Sequence, residues 1–352
     1  DYLQDLGVNA IELMPVSEFD GNESWGYNPS FHMALDKYYG TPTAFKQLID
    51  ESHSRDIAVI LDVVYNHATG QNPYYRMWNT DNGGYGGKAT TDSPFFNPDA
   101  THSYSVFNDF NHSKQATRDY VKRTVQYWID EYKIDGFRWD LTKGFTQNCT
   151  DSDQNCTNQE QADRVAVLKT YADYQWEVDN DFYVIFEHLG TNQEETQWVN
   201  YRLGEGKGIM VWGNHNGNYS EATMGYHDAG KSDFSWISYK NRGWTVPANV
   251  SYMESHDEER LMYKNLEFGN SSGSYTIKNL ATALDRMELA GAFYFTVPGP
   301  KMIWQFGELG YDISIDFNGR VGNKPIKWEY FNEPDRKAIY DTWIKLIKLK
   351  KQ

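Results

Sequence analysis

Seven short apolar runs, separated by longer amphipathic stretches, constrain the fold of this 352-residue chain more than any other feature. Strands that alternate with helices in this way are typical of βαβ units, whose strands are parallel and covered by helices. The sequence therefore predicts an α/β fold with a parallel sheet, whose strands lie at 8–15, 57–64, 134–140, 182–187, 208–213, 250–255 and 301–305.

The number and order of these strands predict a (β/α)8 TIM barrel that lacks its first strand in this chain. The first visible element is a helix that runs into a strand, so we expect the missing strand before residue 1. The strands at 8–15 and 301–305 would then border the gap. We therefore expect no continuous backbone hydrogen bonding between them.

One long segment interrupts the alternation. Residues 67–112 are rich in Gly, Asn, Asp and Tyr, show no clear period and are too long for an ordinary βα loop. We interpret them as a small insertion after the third barrel strand, and residues 1–66 and 113–352 as the barrel itself.

The helical stretches show the expected periodicity. Ser113 is a candidate N-cap for the helix over 113–133, whose apolar stripe consists of Val121, Val125, Trp128, Ile129 and Tyr132. Further helices are predicted at 42–54, 158–178, 276–295 and 334–350.

Charge excludes some partners. Asp and Glu outnumber Lys and Arg by 49 to 33, which gives a net charge of −16 and argues against nucleic acid or anionic membrane surfaces as partners. No apolar run reaches the roughly 18 residues of a membrane helix. The high aromatic content, 16%, supplies rings of the kind that grip the apolar faces of sugars.

Polar side chains follow four of the predicted strands at the ends where (β/α)8 barrels carry their chemistry. Each has a simple structural explanation, such as helix capping or solvation. Their occurrence at four strand ends favours a common site, formed by Asp62, Asn66 and His67, by Arg138 and Asp140, by Glu187, and by His256 and Asp257.

Arg138 and Asp140 share one face of their strand, because residues i and i+2 point the same way. A buried arginine beside a carboxylate is either a structural ion pair or a device that keeps the carboxylate ionised as a nucleophile. Glycoside hydrolysis needs such a nucleophile together with a second, protonated carboxyl group, for which Glu187 is the candidate. Asp257 and the histidines would bind sugar hydroxyls.

These segments resemble the conserved regions of glycoside hydrolase family 13, the α-amylase family. The matching stretches are DVVYNH (62–67), GFRWDLTKG (136–144), IFEH (185–188) and YMESHD (252–257), supported by GVNAIELMPV (7–16), WGYNPS (25–30) and PGPKMIWQFGELG (298–310). The resemblance implies a nucleophile at Asp140, a general acid/base at Glu187 and a transition-state stabiliser at Asp257. It also implies substrate contacts from Tyr27, His67, Arg138 and His256.

The resemblance has further implications. By the resemblance, the insertion at 67–112 corresponds to the family's domain B, and the end of this sequence resembles the last barrel helix, so we expect the family's C-terminal β-domain to be absent from this chain. Asn66 and Asp109 fall where α-amylases bind structural Ca²⁺. Many members have Lys-His where this chain has Lys143-Gly144, which bears on both calcium and the leaving-group subsites. Lys143 is either a contact in such a subsite or a solvated lysine.

Cys149 and Cys156 are the two cysteines and lie in one polar loop. A short disulfide between them would indicate a secreted or periplasmic protein, with the signal region outside this chain. The alternative is two free thiols.

The function expected from these observations is retaining, endo-acting hydrolysis of α-1,4-glucosidic bonds in starch or glycogen, the α-amylase reaction. ELMPVSEFDGNESWGYNPS also resembles branching enzymes and trehalose-forming hydrolases of the family. The alternatives are therefore a transglycosylase such as a glycogen-branching enzyme and an inactive homologue that only binds glucans.

Overall fold

The structure is a computed structural model that describes residues 1–352. The chain forms two compact units, and we call residues 9–211 the N-terminal unit and residues 1–8 with 212–352 the C-terminal unit. The predicted insertion at 67–112 lies within the N-terminal unit.

Every predicted run overlaps a strand of the sheet. The strands are β1 (Ala10–Leu13), β2 (Ser17–Phe19), β3 (Pro29–Leu35), β4 (Ala58–Val63), β5 (His67–Ala68), β6 (Asn108–Asp109), β7 (Gly136–Trp139), β8 (Tyr183–Phe186), β9 (Met210–Asn214), β10 (Asn249–Tyr252), β11 (Ser271–Ser272), β12 (Tyr275–Thr276) and β13 (Lys301–Met302). Seven of them form one sheet in the order β1-β4-β7-β8-β9-β10-β13. Sequential order is typical of a (β/α)8 barrel. The two edges of the sheet are β1 and β13, which confirms that residues 8–15 and 301–305 do not pair.

The helices are α1 (Tyr2–Leu6), α2 (Pro42–His53), α3 (Pro73–Met77), α4 (Gln115–Tyr132), α5 (Gln154–Asn158), α6 (Ala162–Trp176), α7 (Asn192–Val199), α8 (Asn216–Met224), α9 (Leu261–Phe268), α10 (Leu280–Phe295) and α11 (Pro334–Lys350). The predicted stripe of α4 is buried throughout. The predicted cap is wrong, because Lys114 is the N-cap residue and the Ser113 hydroxyl instead bonds Asn111.

The parallel register of the N-terminal unit determines which strand ends are neighbours. Asp62 of β4 lies opposite Arg138 of β7, and Trp139 of β7 lies opposite Phe186 of β8. Asp140 and Glu187 each follow directly after this last pair. Strand register, rather than loop conformation, therefore brings the ends of β4, β7 and β8 together.

The insertion has a small core of its own, formed with one tyrosine of α4: Ala68, Tyr75, Ala89, Phe96, Phe110 and Tyr120. Strands β5 and β6 pair antiparallel at its base, with His67 opposite Asp109. The predicted disulfide between Cys149 and Cys156 is present. None of the helices is long and apolar enough to cross a membrane.

The C-terminal unit has a separate core in which α10 packs against α11. Its buried members include Leu284, Met287 and Tyr294 from α10, and Ile339 and Trp343 from α11. Gly291 of α10 permits this packing, because a Cβ there would lie 2.3 Å from the indole nitrogen of Trp343.

Candidate active site

The polar residues of the N-terminal unit gather around the completely buried guanidinium of Arg138. Its Nη1 donates to both carboxylate oxygens of Asp62, at 2.8 and 2.9 Å, and to Oδ1 of Asp140 at 3.0 Å. Its Nη2 lies 3.6 Å from Oε2 of Glu187. A buried arginine is costly without compensating charge. Three carboxylates provide that compensation here.

Asp62 is the carboxylate that sequence analysis did not assign to Arg138. Burial raises the pKa of Asp62 to about 7, against the lowering effect of the Arg138 guanidinium. The hydroxyl of Tyr27 also donates to Asp62 Oδ2, at 2.5 Å. The missed signal was the register of two adjacent parallel strands, which places Asp62 directly beside Arg138. Asp62 therefore holds the arginine, and Asp140 contacts it with one oxygen.

Tyr27 is placed by the glycine that precedes it. Gly26 has φ 94°, and a Cβ at this position would lie 2.4 Å from the carbonyl oxygen of Pro15. Only glycine adopts this conformation without strain and leaves room for Pro15. The Tyr27 ring centroid lies 5.9 Å from Cζ of Arg138.

His67 is buried and fixes the main chain at Tyr27. Burial lowers the pKa of His67 to about 4, so the ring is neutral near pH 7. Its Nε2 donates to the Tyr27 carbonyl at 2.8 Å, and its Nδ1 accepts from Nδ2 of Asn66 at 3.2 Å. In this structure His67 therefore positions Tyr27 through the main chain.

Asp140 and Glu187 remain partly exposed although they flank a buried charge. Their side chains are 14% and 17% exposed, respectively. The amide of Glu187 donates to the Trp139 carbonyl at 3.0 Å, and its Oε2 accepts from the Leu141 amide at 2.7 Å. Leu141 has φ 46°, a left-handed conformation that is unusual for a leucine. This turn after β7 directs an amide towards Glu187.

Lys143 lies in the short 3-10 helix that follows Asp140. Its Nζ is 5.3 Å from the ring centroid of Tyr104, and its carbonyl accepts from Nη1 of Arg164 at 2.8 Å. Gly144 beside it leaves no room for a side chain, because a Cβ would lie 1.8 Å from Oδ1 of Asn66. The departure from Lys-His thus has a steric reason.

The residues expected to bind calcium make other contacts. Asp109 Oδ1 lies 3.1 Å from Nε2 of His102, and Oδ2 accepts from Nδ2 of Asn97 at 2.7 Å. Nδ1 of His102 faces the Ser103 carbonyl at 2.7 Å, so both ring nitrogens must carry protons. Burial lowers the pKa of His102, but Asp109 and the Ser103 carbonyl outweigh it and the pKa is raised.

A calcium ion takes six to eight oxygen ligands. Of the predicted ligand atoms, only Oδ1 of Asn66 is buried without a hydrogen-bond partner. In this structure His102 and Asn97 occupy the two carboxylate oxygens of Asp109, and calcium at Asn66 and Asp109 stays a prediction of the resemblance.

In the C-terminal unit, His256 and Asp257 follow β10. His256 is buried, and its Nε2 lies 3.4 Å from Oδ2 of Asp257, whose side chain is 47% exposed. The Asp257 amide donates to the hydroxyl of Ser255 at 3.1 Å. Asp257 is thus the most exposed of the three carboxylates that the sequence singled out.

Comparison with known proteins identifies the family. The family model for the α-amylase catalytic domain matches residues 1–345. "Alpha-amylase 3" of Dictyoglomus thermophilum is 26% identical over 376 residues, covering 98% of this chain and 64% of that protein. A malto-oligosyltrehalose trehalohydrolase of Saccharolobus solfataricus is 34% identical over 149 residues, covering 42% of this chain and 24% of that protein.

The solved α-amylase of Geobacillus thermoleovorans in complex with acarbose aligns with a TM-score of 0.72 at 19% identity, over 99% of this chain and 70% of that one. Other relatives are named pullulanase and 1,4-α-glucan branching enzyme. The chain spans less than two thirds of the first curated relatives it matches. It belongs to the α-amylase family, glycoside hydrolase family 13.

Proposed function

We propose that this chain is a retaining, endo-acting hydrolase of α-1,4-glucosidic bonds in starch-like or glycogen-like glucans. One observation carries the proposal. Asp140 and Glu187 follow neighbouring paired strands, flank the same buried guanidinium of Arg138, and keep part of their carboxyl groups exposed. Retaining glycosidases use two carboxyl groups about 5–5.5 Å apart, and we expect this separation here.

In the first step, a carboxylate oxygen of Asp140 attacks the anomeric carbon while Glu187 gives its proton to the departing glycosidic oxygen. Oε2 of Glu187 accepts from the Leu141 amide, so the proposal places this proton on Oε1. Arg138 hydrogen-bonds Asp140 at 3.0 Å but lies 3.6 Å from Glu187, so it favours an ionised Asp140 first, and the negative charge of Asp140 then favours a protonated Glu187. The two carboxyl groups are thus prepared for opposite roles.

In the second step, Glu187 takes a proton from water, which attacks the anomeric carbon and releases Asp140. Loss of the Asp140 charge in the covalent intermediate favours an ionised Glu187, as a general base requires. The proposal gives Asp257 the role of hydrogen-bonding sugar hydroxyls in the transition state. His256, Tyr27 and Lys143 are proposed to contact the sugar chain.

The names of relatives support an α-glucan substrate. Among the solved relatives are a pullulanase in complex with maltotetraose and an α-amylase in complex with acarbose. The disulfide between Cys149 and Cys156 supports the proposed secreted or periplasmic location.

Asp140→Asn and Glu187→Gln test the proposal on soluble amylose with a reducing-end assay. Both should lose more than about a hundredfold in kcat while the melting temperature is kept, because only a charge or a proton is removed. NMR of the first products should show the α-anomer. A β-anomeric first product, or an Asp140→Asn variant with near-normal kcat, would overturn the proposed mechanism.

A second candidate is transglycosylation, which uses the same covalent intermediate with a sugar acceptor in place of water. A match to a 1,4-α-glucan branching enzyme of Bacillus cereus over the whole of this chain favours keeping it. Time courses distinguish the two: hydrolysis raises reducing ends quickly, whereas branching changes iodine staining with few new reducing ends. An inactive glucan-binding homologue would do neither.

A further inference from the structure

The sequence Glu258-Glu259-Arg260 follows Asp257, and the proposed function gives these three residues no role. Arg260 is buried and donates through Nη1 to the carbonyls of Ser255 and Glu258, at 2.5 and 3.0 Å. The carboxylate of Glu258 in turn accepts from the Ser255 hydroxyl. These contacts connect Ser255, which precedes Asp257, with Glu258 and Arg260, which follow it, and so hold the turn that carries Asp257.

Glu259 connects this turn to a distant part of the C-terminal unit. Its Oε2 accepts from the Ser314 hydroxyl at 2.7 Å, and its Oε1 accepts from the Ile315 amide at 2.9 Å. Ser314 begins a compact segment that we call the 314–324 loop. The turn and this loop are therefore fixed to each other.

The 314–324 loop is held in shape by its last residue. Nζ of Lys324 donates to the carbonyls of Gly319, Arg320 and Gly322, at 2.8, 3.0 and 2.6 Å. Three carbonyls on one ammonium give residues 319–324 a defined conformation. Arg320 projects from this conformation.

Arg320 reaches back to Asp257. Its Nη2 donates to the Asp257 main-chain carbonyl at 2.5 Å and lies 3.9 Å from the carboxylate oxygen Oδ1. Both side chains are about half exposed, at 53% and 47%. The guanidinium thus hydrogen-bonds the main chain of Asp257 directly and approaches its carboxylate only at ion-pair distance, so about half of the aspartate side chain stays exposed.

We propose that Arg320 is a positioning residue for Asp257, which holds the main chain of this aspartate so that its carboxylate keeps one orientation. The inference rests on the proposed role of Asp257 in the reaction. An orienting contact to a main-chain carbonyl differs from a substrate contact, since it acts on the reaction only through Asp257. Loss of Arg320 should therefore weaken transition-state stabilisation and leave ground-state binding unchanged.

The test is a double-mutant cycle on soluble amylose. Arg320→Gln should lower kcat about 10-fold or more with KM within about twofold, because a transition-state interaction is weakened. Arg320→Lys, which keeps a donor and the charge, should recover most of this loss. In an Asp257→Asn background, adding Arg320→Gln should lower kcat by less than about twofold, because the group it positions is already gone.

Lys324→Met loosens the loop without touching Asp257 and should show the same loss in kcat at smaller size. Arg286→Gln is the matched control, since Arg286 also donates to main-chain carbonyls of the C-terminal unit, those of Ala222 and Thr223. It should leave kcat unchanged.

A rise in KM alone would make Arg320 a substrate contact and overturn the inference. Multiplicative losses in the double variant would also overturn it. A wild-type protein without activity on any glucan would overturn the proposed function, and the inference with it. An active wild type whose Arg320→Gln variant is equally active would overturn the inference alone.

Discussion

Two arginines contact candidate catalytic aspartates in this molecule, and they do so in opposite ways. Arg138 of the N-terminal unit is completely buried, lies on a strand and is surrounded by carboxylates. Arg320 of the C-terminal unit is half exposed, lies on a loop and donates to a main-chain carbonyl. The first arginine acts through charge and the second through backbone geometry.

This difference predicts how much folding stability is lost when each arginine is replaced. A buried guanidinium and its carboxylates must be kept together, since removal of one partner leaves an uncompensated charge. An exposed arginine can be removed at little cost, because water takes its place. The buried pair of Arg138 and Asp62 should therefore be inseparable from folding, whereas the contact of Arg320 with Asp257 should be separable from it.

The largest expected effect tests this distinction directly. Arg138→Ala should lower the free energy of unfolding by about 3–5 kcal/mol, because Asp62 is left buried without its partner. Arg320→Ala should change it by less than about 0.5 kcal/mol. Urea denaturation of both variants provides the measurement. Equal losses would break the comparison.

His102, buried beside Asp109 in the insertion, provides a second test of how much stability depends on a buried charged pair. His102→Ala leaves the buried carboxylate of Asp109 without its charged donor and should cost about 2–3 kcal/mol. Asn97→Ala, which removes a neutral donor to the same carboxylate, is the matched control and should cost less. A larger loss of stability for Asn97→Ala than for His102→Ala would show that the carboxylate of Asp109 does not depend on a charged donor.

Acid sensitivity provides a third test. Burial is the main reason that the pKa of His112 is lowered to about 3. Between this value and the ordinary 6.5 the unfolded chain binds the extra proton, so stability falls as pH decreases through this window. His112→Gln should reduce that slope by up to about 1.4 kcal/mol per pH unit. Denaturation midpoints at pH 4, 5, 6 and 7 measure the slope, and an unchanged slope would contradict the assignment.

The smallest expected effect concerns metal. Because His102 occupies the position beside Asp109, we expect EDTA to leave the melting temperature unchanged and added Ca²⁺ to have no effect. A clear drop with EDTA that Ca²⁺ reverses would show that the His102 contact yields to a metal ion.

Sequence analysis succeeded where burial determines structure. The apolar runs located the seven strands of the sheet, since a parallel strand covered on both faces must be apolar along its length. The pairing of Asp62 with Arg138 follows from the register of the adjacent strands β4 and β7, which the apolar pattern alone does not specify. The roles of Asp140, Glu187 and Asp257 remain predictions of the resemblance.

Elements stabilised by individual polar contacts were not predictable. The 314–324 loop has no hydrophobic period, and its shape depends on three carbonyls meeting Lys324. The contact of His102 with Asp109 depends on how the insertion folds back on itself. Ser113 looked like a cap from its position alone, yet Asn111 provides its partner.

Gly26 has a consequence for interpreting sequence variation in this protein. It carries no functional group, yet any side chain there would push residue 26 away from Pro15. The resulting shift of Tyr27 would disturb both its hydroxyl contact to Asp62 and its carbonyl contact to His67. In a saturation mutagenesis screen for activity, this glycine should therefore be as intolerant as a catalytic carboxylate. Scores from such a screen would rank position 26 with the reactive groups, although its contribution is only the absence of a Cβ.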